Sequence, residues 1–228
     1  MNISGKTKVT GLFGYPVEHS LSPAMHNAAF EHLNLDYCYV TFSVRPDLLG
    51  DAVKAIRALS LSGVNVTVPH KENVIPFLDE ISEESSFIGA VNTIKNDNGK
   101  LTGYNTDGKG FMQSLSETGI DIRGKKILIV GAGGASRAIG YYLCKEASEV
   151  HLFDVDDKKA NSLKEHLNKL KWNVSLAGAR SVKDKDFFSG IDIIINATPL
   201  GLKPDDPMPV DITLIKSSHV VCDLIYKE

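Results

Sequence analysis

The segment Lys125–Ile139 (KKILIVGAGGASRAI) constrains this chain more than any other. Two lysines precede the apolar run Ile127–Val130, which is too short for a helix of its own. Glycine and small residues follow at once, and Arg137, Ala138 and Ile139 then open a helix expected to run to about Cys144. That order describes a buried parallel strand, a tight glycine turn and a helix N-terminus. Amides without intrahelical partners point out of such a turn, and the helix dipole adds partial positive charge there. A pyrophosphate fits that place. Gly131 is expected to permit the turn and Gly133 the close approach of backbone to phosphate, with Ala132 between them, while Gly134 and Ala135 keep helix and strand close. Ser136 stands where a G-x-G-x-x-G pattern has its last glycine.

An ordinary strand-to-helix turn is the plain alternative. The next strand, Val150 to Phe153, argues against it. It ends in Asp154, about 20 residues on, where a dinucleotide site places an acid for its ribose hydroxyls. A carboxylate there accepts from a free 2′-hydroxyl and repels a 2′-phosphate, and Val155 supplies no guanidinium, so NAD is favoured over NADP. Lys158 and Lys159 are either point charges for a phosphate or the solvated first turn of the following helix.

Beyond that turn, strand and helix keep alternating. Ala160, Leu163 and Leu167 line a helix, Val174–Ala177 and Ile191–Ile195 read as strands, and Val220–Leu224 as a last one. The loop Asn196–Gly201 (NATPLG) lies at a strand's carboxyl end, where it could border a nicotinamide. Pro204, Pro207 and Pro209 exclude helix after it. A parallel sheet with helices on both faces follows.

The first half is also α/β. Val9–Gly14 and Tyr37–Ser43 read as strands. Between them lies a helix with Ser22 as N-cap, Pro23 in its first turn, and Met25, Ala28, Ala29 and Leu33 on its apolar face. Ser20 and Ser22 sit at this strand-to-helix junction, where two hydroxyls could meet a small polar ligand. Ala52, Ala55, Ile56 and Leu59 mark the next helix. In Gly63–Lys71 (GVNVTVPHK), Val64, Val66 and Val68 face one way and Asn65 and Thr67 the other. Pro69 stops that strand, and Lys71 emerges beyond its carboxyl end, where open α/β sheets place ligands. Asn73–Ile81 is expected to be helical, and Asn98-Gly99 joins two strands in a hairpin. Asn105, Thr106 and Asp107 then crowd together before another helix. Asp107 is read either as its N-cap or, with Lys71 and Asn92 as spatial neighbours, as part of a site.

The 228 residues suffice for one large or two modest domains. With 25 Lys+Arg against 28 Asp+Glu and no basic run, nucleic acid is not an expected partner. The amino terminus has no signal-peptide core and no apolar run approaches a membrane span. Cys38, Cys144 and Cys222 are far apart, with no C-x-x-C, and His19 and His26 lack partners at metal-ligand spacing. A soluble cytoplasmic protein without a metal site is expected.

These segments together resemble the shikimate dehydrogenase family. The likeness rests on SLSP (Ser20–Pro23), NVTVPHK (Asn65–Lys71), GAVNT (Gly89–Thr93), YNTDG (Tyr104–Gly108), GAGGASRA (Gly131–Ala138), NATPLG (Asn196–Gly201) and DLIY (Asp223–Tyr226), in the family's order. The resemblance implies an N-terminal α/β substrate-binding catalytic domain, residues 1–108, and a Rossmann-like doubly wound dinucleotide-binding domain, residues 109–228, with a cleft between them. It implies reversible, nicotinamide-dependent interconversion of 3-dehydroshikimate and shikimate, within aromatic amino-acid biosynthesis, by a monomer or homodimer. Ser20, Ser22, Asn65, Thr67, Asn92 and Tyr226 would contact substrate, and Lys71 and Asp107 would be the catalytic pair. Gly131, Ala132, Gly133, Gly134, Ala135, Asp154, Thr198 and Leu224 would hold the cofactor.

Two departures stand out. Where many family members carry an asparagine and arginine signature for NADP, this sequence has FDVDDK, which agrees with NAD and leaves quinate open as a substrate. Members also continue past the DLIY segment, with helices that return to the first domain and a glutamine that touches substrate. This sequence ends at Glu228. The expected chemistry is removal of a hydroxyl proton by Lys71 with Asp107 positioning both groups, in which orientation and alkoxide stabilisation count as much as basicity. Quinate dehydrogenase is one alternative, and a catalytically silent NAD- or metabolite-binding protein is the other.

Overall fold

The computed structural model describes residues 3–203 and 205–225. The chain divides into two compact units, one ending at Thr106 and the other beginning at Asp107.

The first unit runs β1 (Lys8–Gly14), α1 (Ser22–His32), β2 (Tyr37–Ser43), α2 (Leu49–Ala58), β3 (Gly63–Val66), β4 (Glu80–Ile81), α3 (Glu83–Ile88), β5 (Thr93–Asp97) and β6 (Lys100–Tyr104). Its six strands lie in the order β2-β1-β3-β5-β6-β4. The first three are parallel, β5 runs antiparallel to both β3 and β6, and β4 lies parallel to β6. α2 buries Leu49, Val53 and Ile56, spaced at helical period, against Phe13, Val64, Val66, Ile94 and Leu101. The β5–β6 turn holds Asn98 and Gly99 at φ 52° and 93°, the left-handed pair that suits a two-residue hairpin.

Five expectations are corrected here. Ser22 is the first helical residue of α1, not its cap; Leu21 takes the cap position and makes no side-chain capping bond. The apolar face drawn on α1 is turned outward, with Met25 and Leu33 each 62% exposed. Its inward residues are His26, which stacks on Tyr39, Asn27, which bonds the Tyr39 backbone, and Phe30. Strand β3 ends at Val66, so Val68 does not share the buried valine face and is exposed. Residues 73–81 are not an α-helix: a single 3-10 turn, Ile75–Phe77, carries Pro76 at its centre and gives way to β4. Pro76 has no N–H to extend a helix, and the Asp79 carboxylate accepts the Leu101 N–H at 2.6 Å, which draws the chain to the sheet. The short α3, unforeseen, is capped by Ser82 and ended by Gly89 at φ 72°. Leu59, expected on the buried side of α2, caps its end and is exposed.

The second unit runs α4 (Asp107–Glu117), β7 (Lys126–Val130), α5 (Gly134–Glu146), β8 (Glu149–Phe153), α6 (Asp157–Asn168), β9 (Val174–Leu176), α7 (Lys185–Ser189), β10 (Ile193–Asn196) and β11 (Val220–Asp223). All five strands are parallel, in the order β11-β10-β7-β8-β9. Leu128 and Val130 point into a cluster with Phe188 of α7 and Ile194, so strand alternation sends Ile127 and Ile129 to the opposite face. This is a Rossmann-like doubly wound sheet. From β7 the chain first builds outward through β8 and β9, then returns to place β10 on the other flank. The gap between the carboxyl ends of β7 and β10 is the topological switch point, where such sheets bind ligands. Among the described residues no helix is long and apolar enough to cross a membrane.

Candidate active site

At the switch point of the second unit, Gly131 follows β7 at φ 104°, and a Cβ there would lie 2.8 Å from the Ala197 carbonyl oxygen. Only glycine satisfies both the dihedral and the approach. Gly133 caps α5, and a Cβ on it would meet nothing within 4 Å. That open flank, beside the first amides of a thirteen-residue helix, is what a pyrophosphate requires. Gly134 and Ala135 do not pack helix against strand; both are exposed and nothing lies near a Cβ on Gly134. Ser136 does so instead: it is 0% exposed and its Oγ donates to the Gly131 carbonyl at 2.7 Å. The departure from the glycine pattern is therefore a small side chain that also ties the turn to the helix.

Asp154, at the end of β8, accepts the Ala132 N–H on Oδ2 and the Asp156 N–H on Oδ1, both at 2.8 Å. Asp156 in turn caps α6 by accepting from Lys158 and Lys159 N–H. After β10, Asn196 is 5% exposed and uses all of its amide. Oδ1 accepts from Thr198 N–H and Oγ, and Nδ2 donates to Leu200 O and Asp223 Oδ1. Leu224 N–H donates to the Asn196 carbonyl at 3.0 Å. A cavity of about 350 Å³ lies between these turns, lined by Gly131, Ala132, Gly133, Asp154, Lys159 and Thr198 among others. The residues present fit a dinucleotide.

In the first unit, a polar network runs along the α1 side of the sheet toward the carboxyl ends of β1, β3 and β6. The Ser20 hydroxyl accepts the Ser22 N–H at 3.2 Å, and the Ser22 hydroxyl lies near enough to the Tyr39 phenol to oppose the effect of burial on it. Tyr39 donates to Asn65 Oδ1 at 2.8 Å, and Asn65 Nδ2 donates to Thr93 Oγ at 3.0 Å and, more weakly, to the Asn92 carbonyl at 3.3 Å. Thr93 donates to Asn92 Oδ1, which also accepts the Thr106 N–H, while Asn92 Nδ2 donates to Thr106 Oγ. Burial pushes the Tyr39 phenol up to about 12, so it stays a neutral donor.

Asn65 and Asn92 are thus brought into one network, through Tyr39 and Thr93, which sequence reasoning missed, and Ser20 and Ser22 adjoin it. Nothing local marks Tyr39 in its strand; its partners come from α1 and β3. Thr67 follows β3, with its N–H on Phe13 O and its carbonyl accepting from His70 N–H. His70, 0% exposed, places Nε2 2.7 Å from the Val44 carbonyl. The Lys71 carbonyl accepts the Val91 N–H at 2.7 Å, so the turn bearing Lys71 is anchored on both sides. Asp107 opens α4 as its first residue, in the second unit. Tyr226 lies outside the described residues. Among the described residues no cluster of His, Cys, Asp and Glu could hold a metal ion.

A sequence model of the shikimate dehydrogenase substrate binding domain matches residues 12–94. A shikimate dehydrogenase (NADP(+)) of Desulforamulus reducens is 46% identical over 236 residues, covering 98% of this chain and 79% of the relative. One of Methanococcus maripaludis is 47% identical over 228 residues, covering 98% and 80%. The crystal structure of shikimate 5-dehydrogenase from Listeria monocytogenes in complex with shikimate and NAD is 38% identical, covers 99% of this chain and 81% of that one, and superposes with a TM-score of 0.91. With its dinucleotide cradle, its hydroxyl and amide network and relatives this similar along nearly its whole length, the chain belongs to the shikimate dehydrogenase family.

Proposed function

We propose that this chain interconverts 3-dehydroshikimate and shikimate with a nicotinamide cofactor, acting in the cytoplasm as a monomer or homodimer. Residues 1–108 form the substrate-binding catalytic domain and residues 109–228 the dinucleotide-binding domain. Ser20, Ser22, Asn65, Thr67, Asn92 and Tyr226 hold the substrate. The observation that carries this reading is the network from Tyr39 to Thr106, with Ser20 and Ser22 beside it, which collects hydroxyls and amides at the same end of the sheet as the anchored Lys71 turn. A ring bearing several hydroxyls and a carboxylate needs that alternation of donors and acceptors.

In the mechanism Lys71 takes the proton of the hydroxyl being oxidised and returns it in reduction. Asp107 orients the lysine and that hydroxyl. A nicotinamide held by the second unit would supply the hydride acceptor for oxidation and the donor for reduction. The ammonium also stabilises negative charge developing on the oxygen, which gains from being held in place before reaction. The turn at Gly131, Ala132 and Gly133, with Gly134, Ala135, Asp154, Thr198 and Leu224, holds the dinucleotide.

NAD is the preferred cofactor in this reading. The Asp154 carboxylate stands in the cavity, tied to the turn by the Ala132 N–H, and would repel a 2′-phosphate. Lys159 lines the same cavity and limits that preference. The relatives named above are NADP(+) enzymes, and the Listeria structure holds NAD. The test is absorbance at the reduced-cofactor band when shikimate or quinate is mixed with the protein and NAD or NADP. Appearance of reduced cofactor with shikimate, faster with NAD, is expected. No reduction with any of the four combinations would end the reading, and a quinate rate above the shikimate rate would change the substrate.

A further inference from the structure

We infer that Tyr39 is a positioning residue for the substrate, acting through Asn65; this rests on the reading of Asn65 as a substrate contact. Tyr39 is 3% exposed in β2, and everything around it fixes where its hydroxyl goes. The His26 ring stacks on it at 4.3 Å and 13°. Asn27 accepts the Tyr39 N–H at 2.8 Å and donates to its carbonyl at 2.9 Å. Ring and backbone are thus both clamped by α1, the helix that also carries Ser22.

The hydroxyl then sets its neighbour. Its hydrogen goes to Asn65 Oδ1 at 2.8 Å, which leaves Nδ2 to face Thr93 Oγ. An asparagine amide presents oxygen and nitrogen in nearly the same shape, and only its partners decide which end is which. Without the phenol, Oδ1 loses its donor, and only the longer 3.3 Å bond of Nδ2 to the Asn92 carbonyl still decides which end is which. Packing alone does not demand a hydroxyl. The cluster of Leu12, Val17 and Phe30 around the ring would accept phenylalanine, and a buried phenol requires partners that phenylalanine does not.

The test is Tyr39→Phe in the full chain. In the ligand-free protein, the side-chain amide resonances of Asn65 should shift or broaden on substitution while the melting temperature stays close to wild type. In steady state, KM for shikimate should rise about tenfold, with kcat within about threefold and KM for the cofactor unchanged. In an Asn65→Ala background the same change should raise KM by much less, as expected of residues acting in one chain of contacts. Unchanged Asn65 resonances, or an equal effect of Tyr39→Phe in both backgrounds, would overturn the inference. A wild-type chain that fails to oxidise shikimate would overturn the proposed function and leave the Asn65 resonances to decide this point.

Discussion

Asp154 accepts the backbone N–H of Ala132 at 2.8 Å, which joins the end of β8 to the glycine turn after β7. Its other oxygen accepts the Asp156 N–H, so both oxygens face donors. Asp154→Asn can satisfy only one of them and turns an NH₂ toward the other. The turn loosens, and the charge that discriminates against a 2′-phosphate is lost. The substitution should lower kcat/KM for NAD by about tenfold or more and narrow the NAD to NADP ratio. Parallel kinetics with both cofactors measure it, and an unchanged ratio would remove Asp154 from cofactor choice.

Gly131 and Gly133 should fail in different ways. Gly131→Ala forces a side chain into φ 104° and against the Ala197 carbonyl. It should destabilise the chain by about 1–3 kcal/mol and weaken cofactor binding with it. Gly133→Ala meets no protein atom, so its melting temperature should match wild type while KM for the cofactor rises. Thermal melts beside cofactor titrations separate the two. A stable Gly131→Ala protein would contradict the geometry of the turn.

The two cases also mark how far the sequence could be read. The cofactor turn and the Asn98-Gly99 hairpin were legible because backbone dihedrals and a short apolar run determine them locally. The seating of α1 was not. Periodicity offered Met25, Ala28, Ala29 and Leu33 as its inner face, whereas His26, Asn27 and Phe30 are drawn inward by the ring and backbone of Tyr39. That attraction depends on a strand brought alongside by the fold. The same is true of Asn65 and Asn92, whose residue types suggested a site but whose connection through Tyr39 and Thr93 is a fact of strand order. Ser136 lies between these cases. Residue order showed it only as a departure from the last glycine of the pattern, and its bond to Gly131 O depends on how the turn folds back on the helix.

Acidification should weaken both units. Burial lowers the His26 pKa from 6.5, and burial lowers that of His151 against an opposing pull from Glu149. The unfolded histidines titrate near 6.5, so below that pH the unfolded chain binds more protons and stability falls. Well above it, both states are neutral and the contribution disappears. Melting temperature should therefore be flat from about pH 8 to 7 and decline toward pH 5. His151→Gln should reduce the slope and Glu149→Gln increase it. Identical slopes in all three proteins would show that His151 is not a source.

Lys71→Ala tests the proposed proton transfer. Its backbone carbonyl bond to Val91 N–H does not depend on the side chain, so the turn should keep its shape. Turnover of shikimate should fall about 100-fold or more, with cofactor affinity little changed. Near-normal turnover would require another group to move the proton.

Asn196→Asp is an isosteric change that strikes the bonds joining the ends of β10 and β11. The wild-type amide donates to Leu200 O at 3.1 Å and to Asp223 Oδ1 at 3.0 Å while its oxygen serves Thr198. A carboxylate keeps the acceptor and loses both donors, and it sets a second negative charge against Asp223 in a position that is 5% exposed. The loop then loses its bond to Leu200, and the ends of β10 and β11 repel. The loss should reach about 2–4 kcal/mol at neutral pH. It should shrink toward pH 4, because two adjoining carboxyl groups can share one proton. Asn196→Ala removes the same bonds without adding charge, so its stability deficit should not vary with pH in this way. Urea titrations of both variants at pH 7 and pH 5 distinguish lost hydrogen bonds from charge repulsion, and parallel pH responses would rule out the repulsion.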